Sequence, residues 1–122
     1  MKALITGVAG FIGSTLAERL VRAGEDVVGI DCFTDYYPRP AKERNLAWLR
    51  TAPNFRFVEA RLQDADLRTL LADRTHVFHL AAQAGVRKSW GADFDVYTSN
   101  NISATQVLLE ACVGSRIERV VY

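Results

Sequence analysis

The sequence has few cysteines, no excess of charge of either sign and no long apolar run, and each absence removes a class of protein. Two cysteines in 122 residues do not make a disulfide framework. Neither Cys32 nor Cys112 stands in a CxxC pair or at ligand spacing from a histidine, which fits a reducing, cytoplasmic compartment and no metal. Lys plus Arg number 15 against 14 Asp plus Glu, a formal net charge of +1 without a basic tail or stripe. That balance gives no electrostatic reason to expect nucleic acid or an anionic membrane as partner. The apolar run near Ala3–Ile5 is cut off at Gly7, too soon for a signal-peptide core or a membrane span. Repeats and low-complexity tracts are also missing. What remains is a chain 49% hydrophobic, long enough to bury roughly two-thirds of its unfolded surface. One soluble domain over residues 1–122 is expected.

Short apolar runs alternate with longer amphipathic stretches, the pattern of βα units. The spacing predicts strands at Ala3–Thr6, Val27–Ile30, Phe55–Glu59, Val77–Ala81 and from Val120 to the end. Helices are predicted over Phe11–Ala23, with Ile12, Leu16, Leu20 and Val21 on the apolar side, and over Ala41–Leu49. A short helix at Ala65–Leu71 has Asp64 as its cap, with Leu67, Leu70 and Leu71 facing inward. The longest helical pattern, Phe94–Cys112, offers Val96, Ile102, Leu108 and Leu109 for its buried side. Right-handed crossovers between parallel strands then give a doubly wound α/β sheet of Rossmann type, in the order 3-2-1-4-5. The sequence stops inside the fifth strand, before the loop and helix that cover such a strand, so a truncated chain is expected.

The strongest chemical signal is Thr6-Gly7-Val8-Ala9-Gly10-Phe11-Ile12-Gly13, between the first predicted strand and helix. Gly7 permits a tight turn, Gly10 a close backbone approach to a pyrophosphate, and Gly13 close packing of the helix on the sheet. Amides at the helix start carry the phosphate charge. Asp31, 18 residues after Gly13, ends the second strand where it can accept hydrogen bonds from ribose hydroxyls. Its charge repels a 2′-phosphate and no arginine immediately follows it, so NAD is favoured over NADP.

The GxxGxxG spacing, the segment His79-Leu80-Ala81-Ala82-Gln83-Ala84-Gly85-Val86-Arg87 and the loop Asp31-Cys32-Phe33-Thr34-Asp35-Tyr36-Tyr37 together resemble the extended short-chain dehydrogenase/reductase family. Within that family the resemblance is to nucleotide-sugar epimerases and dehydratases, most of all the UDP-glucuronate and UDP-glucose 4-epimerase type. It implies that Gly7, Gly10, Phe11, Ile12 and Gly13 surround the pyrophosphate of NAD, and that Asp31, Phe33 and Thr34 hold the adenosine ribose. Leu62 would meet the adenine, Leu80, Ala81 and Ala82 would line the middle of the cofactor, and Asn100 would lie near the nicotinamide ribose. Gly85, Val86 and Arg87 match a loop that reaches toward the sugar nucleotide, where an arginine can pair with a uronate carboxylate or a phosphate. The resemblance further implies a homodimer through the Phe94–Cys112 helix.

Three positions depart from the family pattern. Arg61 stands where an aspartate usually precedes Leu62, Ala104 replaces a glycine, and the proline expected after Ser89 is absent. The family's catalytic YxxxK is also missing, since Tyr36, Tyr37 and Tyr97 are followed four residues on by Pro40, Ala41 and Asn101. No catalytic residue can therefore be named in this chain. A 4-epimerase removes hydride from sugar C4 and returns it to the opposite face of a 4-keto intermediate; this segment would supply its cofactor half. A 4,6-dehydratase, or a module that binds NAD without catalysis, is the alternative.

The remaining polar residues read more plainly. His79, inside an apolar strand, is expected to be a satisfied core histidine and His76 to be solvated. Asp64, Asp66 and Asp73 suit capping and a wet face rather than metal. Tyr36 and Tyr37 either cover the adenosine or pack their own loop, and Trp48 and Trp90 read as packing or domain contacts.

Overall fold

Strands buried on both faces need apolar residues at successive positions, and the runs at Ala3–Ile5 and Val27–Ile30 meet that need in the middle of the sheet, while the Phe55–Glu59 and C-terminal strands, at its two edges, are less buried. In a computed structural model that describes all 122 residues, the strands are β1 (Lys2–Thr6), β2 (Asp26–Asp31), β3 (Phe55–Glu59), β4 (His76–His79) and β5 (Arg119–Val121). They form one parallel sheet in the order β3-β2-β1-β4-β5, the doubly wound order expected. The helices are α1 (Phe11–Arg22), α2 (Arg39–Ala47), α3 (Leu67–Leu71), α4 (Phe94–Tyr97) and α5 (Ala104–Cys112). A 3₁₀ turn follows α2 at Leu49–Thr51, and a π-helical stretch, Thr98–Ser103, joins α4 to α5.

Alternation along the strands divides the core between the two faces of the sheet. Ala3 and Ile5 of β1 and Val27 of β2 pack with Ala17 and Val21 of α1 and with Leu46 and Leu49. Leu4, Val28, Ile30 and Val77 pack on the opposite face with Leu67, Leu71, Leu108 and Ala111. A one-residue slip of β1 would exchange these sets, so its register is fixed by burial.

Several boundaries differ from the sequence reading, each for a tertiary reason. β4 ends at His79, not Ala81, because the Leu80 and Ala81 amides both donate to the Thr6 hydroxyl, at 3.1 and 3.0 Å, instead of extending the ladder. α3 is capped by Asp66, not Asp64: Asp66 accepts from the Thr69 amide and hydroxyl, at 3.1 and 2.7 Å, and the helix begins at Leu67, two residues later than expected. Those bonds hold the Asp66 carboxyl below its ordinary pKa. α2 starts earlier than expected, because Pro40 is tolerated in a first turn, where its missing N–H has no helical partner.

Two predicted apolar faces are also corrected. Ile12 is 65% exposed, because it lies on the first turn of α1 beside a cleft; Ala17 and Val21 carry the burial, with Leu16 and Leu20 half-buried. On the long helix only Leu108 of the four candidates is buried, whereas Val96, Ile102 and Leu109 are exposed. The π stretch breaks the 3.6-residue phase, so no single stripe runs from Phe94 to Cys112. Ala104, Leu108 and Ala111 form the buried side of α5 instead.

Candidate functional site

The C-terminal ends of β1, β2 and β4 meet where the strand order reverses, which is where open α/β sheets place ligands. Gly7 turns the chain out of β1 with a φ of +68°, and a Cβ there would stand 2.8 Å from the Leu80 carbonyl and the Ala81 amide. Glycine is thus required both by the backbone conformation and by the approach of β4. Gly13 packs against the same turn: its Cβ would fall 2.2 Å from the Gly7 carbonyl oxygen. The first helical bond of α1 runs from the Ser14 amide to Gly10 at 3.0 Å, and the Phe11, Ile12 and Gly13 amides have no acceptor. Three free donors at the positive end of a twelve-residue helix are an arrangement that favours negative charge.

The side chain of Asp31, at the end of β2, is 8% exposed. One carboxylate oxygen accepts from the Ala9 amide at 3.1 Å, and the other accepts from the Phe33 amide at 2.8 Å and lies 3.6 Å from Lys42 Nζ. Lys42 is itself 6% exposed and reaches Thr34 Oγ1 at 3.4 Å. Nothing in the spacing of α2 singles out this lysine, and the sequence reading missed it. Phe33 adopts a φ of +50° to bring its amide to Asp31. Its ring packs edge-on to Phe57, 5.6 Å between centroids, and under Arg39.

A cleft of about 310 Å³ runs from the glycine turn to these groups. It gathers Gly7, Gly10, Phe11, Ile12, Gly13, Asp31, Thr34, Leu62, Leu80, Ala81, Ala82 and Asn100, so Phe33 alone of the expected cofactor residues does not line it. Lys42, Arg61, Gln63, Cys32, Tyr36 and Tyr37 line it as well. The two tyrosines stack edge-to-face 4.8 Å apart and are about half exposed, so they pack on each other at the rim. Arg61 donates to the Ser99 hydroxyl at 2.5 Å and Gln63 to the Ser99 carbonyl at 2.7 Å, tying the end of β3 to the π stretch. Gly85, Val86 and Arg87 lie in an exposed loop outside the cleft, with Gly85 near the Tyr36 and Tyr97 hydroxyls.

The other candidates fall elsewhere. His79 is buried between the Thr6 and Thr105 hydroxyls, at 2.7 and 2.9 Å, and burial holds its pKa below the ordinary value. His76 is half-buried and meets the Thr75 hydroxyl at 2.9 Å. Asp73 pairs with Lys2 and Arg74, Trp48 lies under Arg22 at 3.9 Å, and Trp90 is 78% exposed. Burial pushes the Cys112 thiol up. No three His, Cys, Asp or Glu side chains are grouped to hold a metal ion, and no helix is long and apolar enough to cross a membrane.

The match to known proteins agrees with this architecture. A family model described as the NAD dependent epimerase/dehydratase family matches residues 3–122, and the chain belongs to that family. More particularly, the chain is 46% identical over its whole length to YtcB of Bacillus subtilis, described as an uncharacterized UDP-glucose epimerase, and covers 39% of that protein. It is 42% identical over 98% of its length to an Arabidopsis thaliana trifunctional enzyme, RHM3, whose first named activity is UDP-glucose 4,6-dehydratase, and covers 18% of it. Among solved structures, UDP-glucuronic acid 4-epimerase from Bacillus cereus, in complex with UDP-glucuronic acid and NAD, superposes with a TM-score of 0.95 at 45% identity. That match covers 98% of this chain and 38% of the crystallised one. The chain thus spans well under half the length of these relatives.

Proposed function

We propose that this chain is the NAD-binding part of a nucleotide-sugar 4-epimerase of the UDP-glucuronate or UDP-glucose type. The observation that carries the reading is the cleft itself, which joins three free amides at the start of α1 to the buried Asp31–Lys42 pair. These residues fit a dinucleotide. The Phe11, Ile12 and Gly13 amides would hold the pyrophosphate, and Asp31, Lys42 and Thr34 the adenosine ribose. Leu80, Ala81 and Ala82 would wall the middle and Asn100 the nicotinamide ribose. Bound NAD supplies a hydride acceptor and donor for sugar C4. The Gly85–Arg87 loop would meet the sugar nucleotide, with the Arg87 guanidinium available to a carboxylate or phosphate. With no YxxxK in the sequence, this chain is proposed to bind the cofactor without turnover. A cytoplasmic homodimer is part of this proposal, and light scattering of a longer chain tests the dimer.

Calorimetric titration of the folded chain with NAD and NADP tests the reading. One NAD site with clearly weaker NADP is expected, and a folded chain that binds neither would refute it. The 42% identity to a dehydratase-bearing enzyme favours a 4,6-dehydratase as the second reading. The natural full-length protein separates the two, because an epimerase leaves the mass of its UDP-sugar unchanged and a dehydratase removes one water.

A further inference from the structure

The buried histidine of β4 has both ring nitrogens engaged, and counting donors fixes the direction of every bond around it. Thr6 Oγ1 accepts from the Leu80 and Ala81 amides at 3.1 and 3.0 Å, which fills both of its lone pairs. Its own proton must then go to His79 Nδ1, 2.7 Å away. Nδ1 is therefore bare and Nε2 carries the ring proton, which points to Thr105 Oγ1 at 2.9 Å. Thr105 in turn donates to the Asn101 carbonyl at 2.7 Å, within the π stretch. The Asn101 side chain closes the circuit on the loop after β4, accepting from the Gln83 amide at 2.6 Å and donating to the Gln83 carbonyl at 3.1 Å. No buried side-chain polar atom in the chain lacks a partner.

This path joins two walls of the cleft. At one end lie Leu80 and Ala81, against the glycine turn; at the other lies the π stretch that carries Asn100. We propose that His79 is a positioning residue which, as the fixed Nε2–H tautomer, locks the β4 loop and the π-helical wall in register for the dinucleotide. The proposal rests on the NAD-binding reading for its ligand, but the direction of the relay belongs to the free chain. An imidazolium would place a second proton against the Thr6 hydroxyl, and the buried, neutral ring is consistent with that requirement.

The test begins with ¹⁵N spectroscopy of the histidine rings, with His79 assigned by the signal lost in H79Q. A protonated Nε2 and a bare Nδ1 are expected at neutral pH; a ring protonated on Nδ1 overturns the relay. Thr105→Val removes the acceptor while keeping the side-chain shape, and Thr105→Ser restores the hydroxyl. In T105V, exchange of the Leu80 and Ala81 amides should rise about tenfold and NAD affinity should fall about tenfold, the worth of one hydrogen bond, with T105S returning both toward wild type. A T105V chain that melts lower while keeping wild-type amide exchange and NAD affinity assigns Thr105 to packing alone and overturns the proposal. A wild-type chain that binds no NAD refutes the functional reading; the tautomer and the Leu80–Ala81 exchange still decide the relay.

Discussion

Gly13→Ala adds one methyl group where the backbone leaves no room. The new Cβ would stand 2.2 Å from the Gly7 carbonyl oxygen and 2.9 Å from the Gly7 carbonyl carbon and Val8 Cα, all main-chain atoms that cannot rotate away. Ordinary contact begins at 3.4 Å, so the start of α1 must retreat from the turn by about 1 Å. Forced overpacking of this kind costs roughly 1–3 kcal/mol, and a rigid neighbour puts the cost at the top of that range. Alanine's better helix propensity offsets up to about 1 kcal/mol. The net loss is about 2 kcal/mol, or a fall in Tm of roughly 6–12 °C for a chain of this size. The same retreat displaces the three free amides, so NAD affinity should fall at least about tenfold. Gly10→Ala is the control: its Cβ meets only the Gly7 carbonyl oxygen, at 3.3 Å, and stability should change by less than about 1 kcal/mol. Thermal melts followed by circular dichroism, with calorimetric NAD titrations, measure both quantities. A G13A chain that melts and binds like wild type would refute the packing argument.

Asp31→Ser should raise the ratio of NADP to NAD affinity about tenfold or more, because it removes the repelling carboxylate and leaves the Lys42 ammonium, 3.6 Å away, free for a 2′-phosphate. An unchanged ratio in competitive titrations would mean that Asp31 does not set the preference. Arg74→Ala should cost about 2–3 kcal/mol in denaturant melts and leave NAD affinity unchanged. Arg74 is 5% exposed and grips Asp26 through two bonds, at 3.0 and 3.1 Å, at the N-terminal ends of the strands, opposite the end that carries the cleft. Because the folded chain keeps His79 neutral below the pH at which the unfolded chain takes up a proton, stability should be lost as pH falls below about 6.5 and should not change through this group above it. Denaturation midpoints at about pH 7.5 and about pH 5.5 should differ more in wild type than in His79→Gln.

The sequence by itself determined what depends on neighbours in the chain. Five apolar runs separated by amphipathic stretches specified the strands and their crossovers, and the sheet has the expected order. The glycine turn and Asp31 were legible because a strand end, a helix start and the next strand end fall at fixed offsets, and those residues do share one cleft. Only the tertiary structure brought Lys42 to Asp31 and Arg61 and Gln63 to Ser99, because α2 and the π stretch meet those groups by folding, across gaps that no local period encodes. Only a long-range hydrogen-bond network ended β4 at His79, where a hydroxyl from β1 drew two amides out of the ladder. The π stretch likewise overrode the helical phase and turned Ile102 and Leu109 outward. Periodicity reports which faces are apolar; hydrogen bonds between distant segments decide where elements stop and which charges meet.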